Sequence, residues 1–411
     1  MGMSDEYDIA IVGGGMIGTS LAIALDPLGL RTVVIEARAP ECSAQPGYDE
    51  RSTAISGGSR RILEGLGVWE RIEGVAEPIH RVHVSERGRF AFARLDRRDA
   101  GEPALGYVIE NRRLAAALWD TLSRCRHVQR LIPARVSAIH CGAQQVTLEA
   151  VDASGAPRVV TAPLVVGADG ARSALRELLG IRARVWDYRQ TAIIANVSPA
   201  RFHEHVAYER FTGSGPIAML PMSEGRCACV WTLETARAAQ MLELSDQAFR
   251  DALQAGFGYR LGRLGKIGAR QGYPLALVRS ERLDWGGRVA FAGNAAQGLH
   301  PIAAQGFNLG LRDVAALAEA AAANFDDTRL LLERYRAARR RDRLAAIALT
   351  DGLVRLFSSP LAGARAARDL GLLGLDLLPP LKTAFARRAM GLAGRQSRLA
   401  LGAPLDSGRN L

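Results

Sequence analysis

Apolar residues along the chain fall into short runs punctuated by glycine, and the first of these runs sets the frame. Tyr7 to Val12 has the content of a short buried strand and empties into Gly13-Gly14-Gly15-Met16-Ile17-Gly18. Thr19 to Leu25 then carries helical apolar spacing, and a second apolar run, Thr32 to Ile35, ends at Glu36. The order is strand, tight turn, helix, strand. A later run, Val165-Val166-Gly167, predicts a strand that leads through Ala168-Asp169-Gly170-Ala171-Arg172-Ser173 into a helix over Ala174–Leu179. Near residue 288 a strand again opens into a loop, Gly293-Asn294-Ala295-Ala296-Gln297-Gly298-Leu299-His300-Pro301, ahead of a long helix over Val314–Ala323. Between these segments, β-branched and apolar content predicts strands at Thr191–Val197, Val206–Phe211, Pro216–Leu220, Cys227–Leu233 and Gln271–Val278.

The first glycine cluster has the residues that a dinucleotide needs. Gly13 permits the turn, Gly15 lets the backbone approach a pyrophosphate, and Gly18 lets the helix pack close to the strand. The helix start offers free N–H groups and a positive dipole end to phosphate. Glu36, 18 residues after Gly18, is placed to accept hydrogen bonds from ribose hydroxyls. FAD and NAD both satisfy this pattern.

Composition narrows the class. The 411 residues are 48% hydrophobic and 23% charged, which fits a soluble chain with room for two domains. The formal charge of +11 would point to nucleic acid or a membrane surface if it were evenly spread. Residues 329–411 hold 16 Lys+Arg against 6 Asp+Glu, and the remainder of the chain holds 37 against 36. The excess is therefore C-terminal. Five scattered cysteines make no disulfide framework and favour a reducing cytoplasmic compartment. Cys227 and Cys229, two apart, would share one face of a strand and pack. No run is long and apolar enough to predict a transmembrane helix. His203 and His205 read as part of a surface strand or turn with no acid at metal-ligand spacing, so no metal site is expected.

Three motifs in this order, GxGxxG, then Asp169-Gly170, then Gly293-Asn294 in the last third, resemble the flavin-dependent aromatic hydroxylases, the class A monooxygenases. The resemblance spans roughly residues 5–345. Within that class the chain is similar to the ubiquinone-biosynthesis hydroxylases through Asp49-Glu50-Arg51-Ser52-Thr53-Ala54-Ile55-Ser56, Glu110-Asn111-Arg112 and Gly215-Pro216-Ile217-Ala218-Met219-Leu220-Pro221. Gly293-Asn294-Ala295-Ala296-Gln297 followed by Leu299-His300-Pro301-Ile302 looks most like the 2-polyprenyl-6-methoxyphenol hydroxylase branch.

The resemblance implies an α/β fold: a Rossmann-type FAD-binding domain of three layers (ββα), an inserted β-rich substrate domain and a helical C-terminal end. Boundaries follow as 1–75, 105–182 and 281–345 for the FAD domain, 76–104 and 183–280 for the substrate domain, and 346–411 for the basic helical region. It implies FAD as cofactor, NAD(P)H as co-substrate, and oxygen activated as a flavin C4a-hydroperoxide that attacks the ring of a polyprenyl phenol para to its hydroxyl. Gly13, Gly15, Gly18 and Glu36 would hold the ADP half, Arg51 and Asn111 the pyrophosphate and flavin edge, and Asp169 the ribityl region. The Pro301–Asn308 loop would face the isoalloxazine ring, with backbone N–H groups of Gly306 to Asn308 stabilising negative charge. Asn294 stands where the family at large has Asp, but its amide still accepts and donates, so FAD binding is expected to survive. Gln297 replaces a common His, and Ala304 a common Gly. His300 and Pro301, beside the flavin loop, are the candidate catalytic residues, His300 for either a structural or a proton-handling role. On the sheet that would roof the flavin, Met219, Leu220, Val230 and Trp231 are candidates for the substrate-facing side.

The C-terminal end combines arginines between 334 and 343 with the apolar run Leu370–Leu381, flanked by Arg365, Arg368, Lys382, Arg387 and Arg388. Twelve apolar residues cannot span a bilayer. Apolar surface bordered by arginine suits an anionic membrane interface, here the inner membrane face. A helix pair packed on the core or against another subunit has the same pattern. Other ubiquinone-biosynthesis proteins and a second copy of the chain are further candidate partners. Nucleic acid is not expected, because no binding module or interleaved aromatics accompany the arginines. The competing classes are an isoprenoid reductase or other flavoenzyme, and a non-enzymatic basic protein. A halogenase would carry a Trp-x-Trp-x-Ile stretch, which the sequence lacks.

Overall fold

In the computed structural model, the described residues are 5–38, 51–299, 305–358, 362–394 and 396–405. Ile9–Val12 and Thr32–Ile35 pair in parallel around the helix Met16–Leu25. They are central to a six-stranded sheet in the order Asp284–Trp285, Val289–Phe291, Leu164–Gly167, Ile9–Val12, Thr32–Ile35, Val128–Leu131. All its pairings are parallel except that of the first strand. Both faces of this sheet are covered, which is why its strands are apolar without alternation. Ile9, Ile11 and Val34 pack toward the helices Met16–Leu25, Asn111–Ser123 and Gln305–Asn324. Ala10, Val12, Val33 and Ile35 face the opposite way, onto Val146, Leu148 and Val160 of an antiparallel meander formed by Ala134–Cys141, Val146–Asp152 and Pro157–Ala162. The three layers are meander, parallel sheet and helices, an α/β fold.

The strands predicted between residues 191 and 278 are all present. They run as Ala183–Pro199, Val206–Thr212, Gly215–Pro221, Cys227–Glu234 and Gln271–Ser280. With Arg81–Glu86 and Phe92–Asp96 they build most of a nine-stranded sheet. One face is closed by the helix Asp246–Phe257, where Phe249, Leu253 and Phe257 meet Ile217, Met219, Cys229 and Trp231. The period of two along a strand sends alternate residues to opposite faces. Met219 and Trp231 therefore belong to that closed core, contrary to the expectation that they face substrate. Leu220 and Val230 lie on the other side. Cys227 and Cys229 are buried in the same core, and burial pushes the Cys227 thiol up to about 12.

The C-terminal helices Thr328–Ser358, Ala362–Leu377 and Pro379–Ala389 are part of the body of the protein. Met390 accepts a backbone hydrogen bond from Gly58 at 2.9 Å, and a Cβ on Gly57 would sit 2.8 Å from the Met390 side chain. Arg368, 4% exposed, forks onto both Glu86 carboxylate oxygens at 3.0 and 3.1 Å. Such a bidentate pair fixes geometry as well as charge.

Candidate active site

The strand ends of the parallel sheet converge on the glycine turn. Gly13 has φ +106°, and a Cβ there would lie 2.6 Å from the backbone of Ala168. At Gly18 a Cβ would meet the Gly13 carbonyl at 1.9 Å, so the helix can approach the strand only without a side chain. A Cβ on Gly15 would have no protein atom within 4 Å; it faces open space. The helix behind it has Gly15 as N-cap, with no side chain capping its first N–H groups and no acid in its first turn. These are the donors an anion would use. Glu36 accepts from the Gly14 amide at 2.6 Å and from the Arg38 amide at 3.0 Å, so its carboxylate lies on the glycine loop itself.

Asp169 follows the strand Leu164–Gly167. Its Oδ2 accepts the Leu175 amide at 3.0 Å, while Oδ1 is buried with no hydrogen-bond partner among the described residues. An unsatisfied buried carboxylate oxygen is costly and marks a place for a donor that the protein does not supply. Asn111 begins the helix Asn111–Ser123; its Oδ1 accepts from the Thr53 hydroxyl at 2.6 Å and its backbone N–H donates to the Arg51 carbonyl at 3.0 Å. The Arg51 guanidinium lies over the Tyr273 ring, 5.4 Å from its centre. Asn294 is exposed. A Cβ on Gly306 would meet nothing within 4 Å. The glycine turn, Glu36 and Asp169 are thus brought together, as are Arg51 and Asn111. Orphaned acceptor, open glycines and uncapped helix start together fit a dinucleotide with a hydroxyl-bearing linker.

Asn308 also has a side-chain role. Its side chain is buried, accepting from the Ser56 amide at 2.8 Å and donating to the Ala54 carbonyl at 2.9 Å. It pins the helix Gln305–Asn324 to the strand Ser52–Ser56. His300 and Pro301, the two residues singled out for catalysis, lie outside the described residues, as do Asp49, Glu50 and Ala304.

Several organising residues carry no local sequence signal. Asp313, fully buried, accepts from the Gly293 amide at 3.0 Å, from Gln297 Nε2 at 2.8 Å and from Arg339 at 2.7 Å. Burial alone would make Arg339 less basic, but Asp313 and Asp342 overcome it and hold the guanidinium charged. Arg343 donates to the Gln297 side-chain carbonyl. Two of the arginines in the basic stretch between 334 and 343 therefore point inward and hold the Gly293–Gln297 loop.

Glu77 corrects the expectation that no acid accompanies the histidine pair. It reaches His205 Nδ1 at 2.7 Å from another strand, and the three side chains offer ligand atoms within 4.8 Å of one another. His203 is not on the surface: it is 1% exposed, with Nε2 on the Met222 carbonyl at 3.0 Å and Nδ1 on the His205 amide at 3.1 Å. Both of its nitrogens are committed to the turn.

A cavity of about 500 Å³ lies against the face of the nine-stranded sheet opposite the closed core. Ser56, Gln305 and Asn308 line it where the motif loops meet the sheet; Leu220 and Val230 form its sheet wall, and Leu349, Leu353, Leu372 and Leu375 its C-terminal helical wall.

Fold and site define an FAD-dependent monooxygenase, with FAD as cofactor and NAD(P)H as reductant. The FAD binding domain family model matches residues 6–349. The chain is 40% identical over 98% of its length to ubiquinone hydroxylase UbiL of Rhodospirillum rubrum, covering 95% of that protein. It is 32% identical to 3-demethoxyubiquinol 3-hydroxylase of Escherichia coli, with 94% and 98% of the two chains covered. Among solved structures, p-nitrophenol 4-monooxygenase from Pseudomonas putida DLL-E4 superposes with a TM-score of 0.79 at 18% identity, covering 96% of this chain and all of that one, which speaks for the fold alone. The chain belongs to the FAD-binding domain family and, within it, to the flavin hydroxylases of ubiquinone biosynthesis.

Proposed function

We propose that the chain hydroxylates the aromatic ring of a polyprenyl phenol, of the 2-polyprenyl-6-methoxyphenol kind, on the route to ubiquinone. The observation that carries this reading is the cavity, which runs from the motif loops at Ser56 and Asn308 to a leucine-rich helical wall. A cavity of this shape and apolar lining suits a phenol ring with an isoprenoid tail. The names of the relatives in Rhodospirillum rubrum and Escherichia coli support a quinone-pathway substrate.

FAD, once reduced by NAD(P)H, supplies the oxygen-activating chemistry when bound. In this reading the chain's residues bind and orient. Gly13, Gly15 and Gly18 with the helix start hold the pyrophosphate, and Glu36 takes ribose hydroxyls. Arg51 and Asn111 serve the pyrophosphate and flavin edge, Asp169 offers its free Oδ1 to a ribityl hydroxyl, and Asn294 offers its amide nearby. The amides of Gly306 to Asn308 favour negative charge on the ring system, and His300 and Pro301 are the candidates for catalysis. The apolar walls exclude water from the reacting atoms.

The C-terminal helices also support contact with a membrane surface. Leu370, Leu377 and Leu378 are between 54% and 71% exposed, on or between the two helices Ala362–Leu377 and Pro379–Ala389 that also contribute Leu372, Leu375 and Phe385 to the cavity. Lys382, Arg387 and Arg388 follow them. No helix of the described residues is long and apolar enough to cross a bilayer, so the contact is peripheral.

Expression in a bacterial strain lacking its own ring hydroxylases of this pathway tests the activity. The expected result is a ring-hydroxylated prenyl phenol whose new oxygen derives from labelled O₂. Purified protein without flavin absorbance that cannot be reconstituted with FAD, or turnover without oxygen, would sink the reading.

A further inference from the structure

Glu209 occupies an unusual place. It is a residue of the strand Val206–Thr212, in register with Ala218 on one side and Val84 on the other. All three line the cavity. Strand alternation turns the side chains on either side of it the other way: the Arg210 guanidinium bonds to the Gly256 carbonyl at 3.3 Å, on the face closed by Asp246–Phe257, and the Tyr208 ring meets Phe257 edge-on at 5.7 Å, although Tyr208 also borders the cavity.

Three of the other polar side chains on the cavity wall are committed. Asn308 holds Ala54 and Ser56, Gln305 donates to the Ala389 carbonyl, and Arg368, the charged group contributed by the facing helices, is paired with Glu86. The Glu209 carboxyl has no hydrogen bond or ion pair among the described residues. A carboxyl group in an apolar wall without a partner costs free energy unless a ligand supplies one. Burial accordingly pushes its pKa up to about 7. In an apolar cavity such a group is a single acceptor for a single donor.

Resting on the function proposed above, we propose that Glu209 receives the phenolic hydroxyl of the substrate, and that this hydrogen bond selects a phenol over an equally greasy ring without one. The group touches substrate and makes the ring more electron-rich by drawing on its proton. Deprotonated Glu209 is the stronger acceptor, so phenol affinity rises as pH passes upward through 7.

The test uses the FAD-loaded protein, with 2-geranylphenol and its methyl ether as probes and the perturbation of flavin absorbance as the binding signal. Wild type is expected to bind the phenol at least tenfold more tightly than the ether, as for a hydrogen bond to a charged acceptor. Glu209→Leu is expected to bind both alike, with an unchanged or raised Tm. Glu209→Gln keeps an amide oxygen, so it should retain much of the preference and lose its pH dependence. Undiminished preference in Glu209→Leu overturns the assignment and leaves the proposed function standing, as does a Glu209→Gln profile that still rises through pH 7. Equal binding of phenol and ether by wild type also overturns the assignment alone. If wild type binds neither probe, both readings fall.

Discussion

Arg339 places its Nε 2.7 Å from Oδ1 of Asp313, and both side chains are buried, at 4% and 0% exposure. The pair ties the helix Thr328–Ser358 to the helix Gln305–Asn324, and Asp313 in turn holds the Gly293 amide and Gln297. Removing one member of a buried pair leaves the other charge uncompensated, at about 3–5 kcal/mol. Arg339→Leu should therefore lower unfolding stability by that order and release FAD, since the Gly293–Gln297 loop loses its anchor. The double change with Asp313→Leu should recover only part of the loss, because Gly293 and Gln297 are then left without their acceptor. Urea unfolding and flavin retention on gel filtration read both outcomes.

Gly15 and Gly18 separate cofactor binding from folding. Gly18→Ala would place a Cβ 1.9 Å from the Gly13 carbonyl, so the turn must shift and stability should fall by about 1–3 kcal/mol. Gly15→Ala meets no protein atom within 4 Å, and its effect on the apoprotein should stay within about 0.5 kcal/mol. Its effect should appear in FAD affinity, as a loss of tenfold or more in a flavin fluorescence titration. An apoprotein that binds FAD normally with Ala at position 15 would move the pyrophosphate away from this turn.

Much of this architecture is legible in the sequence because it is local. The glycine turn, the strand ending at Asp169 and the strands between residues 183 and 280 each advertise themselves within a dozen residues. What stays hidden depends on pairing across the chain. Met219 and Trp231 have the right hydrophobicity for a substrate wall, yet only the register with neighbouring strands assigns them to the closed face and Leu220 and Val230 to the cavity. Glu77 joins His205 from a strand more than 100 residues earlier. Charge counting along the chain finds the basic C-terminal end but not that Arg339, Arg343 and Arg368 turn inward to Asp313, Gln297 and Glu86. Glu209, flanked in sequence by Tyr208 and Arg210, reads as an ordinary polar strand residue until the cavity is seen.

The raised pKa of Glu209 has a stability consequence of fixed sign. The folded protein holds this proton up to about pH 7, whereas an unfolded glutamate releases it near 4.5. The favourable contribution is therefore fully present below pH 4.5 and is lost as pH rises through 7, amounting to at most about 3 kcal/mol at 1.36 kcal/mol per pH unit. Glu209→Gln should remove that slope. Unfolding midpoints at pH 4.0 and 8.0 should converge between wild type and variant at the lower value and diverge at the higher, with the variant more stable. Parallel curves at both values would mean that Glu209 is solvated like a surface carboxylate.

Membrane contact is best tested by point substitution, because the helices that would make it also wall the cavity. Deleting them would remove Leu372, Leu375 and the Arg368–Glu86 pair along with the exposed leucines. Leu377 and Leu378 are 70% and 54% exposed and lie where Ala362–Leu377 meets Pro379–Ala389. Burying one leucine side chain in an acyl boundary contributes about 1.5–3 kcal/mol. Changing both to Ser should weaken partition onto anionic liposomes by tenfold or more in a flotation assay, with Tm unchanged because neither side chain supports the core. Replacing Arg387 and Arg388 with Gln should act differently, reducing binding mainly at low ionic strength, where anionic lipid attracts them most. Binding that ignores both the leucines and the salt would mean that these helices meet a protein surface rather than a bilayer.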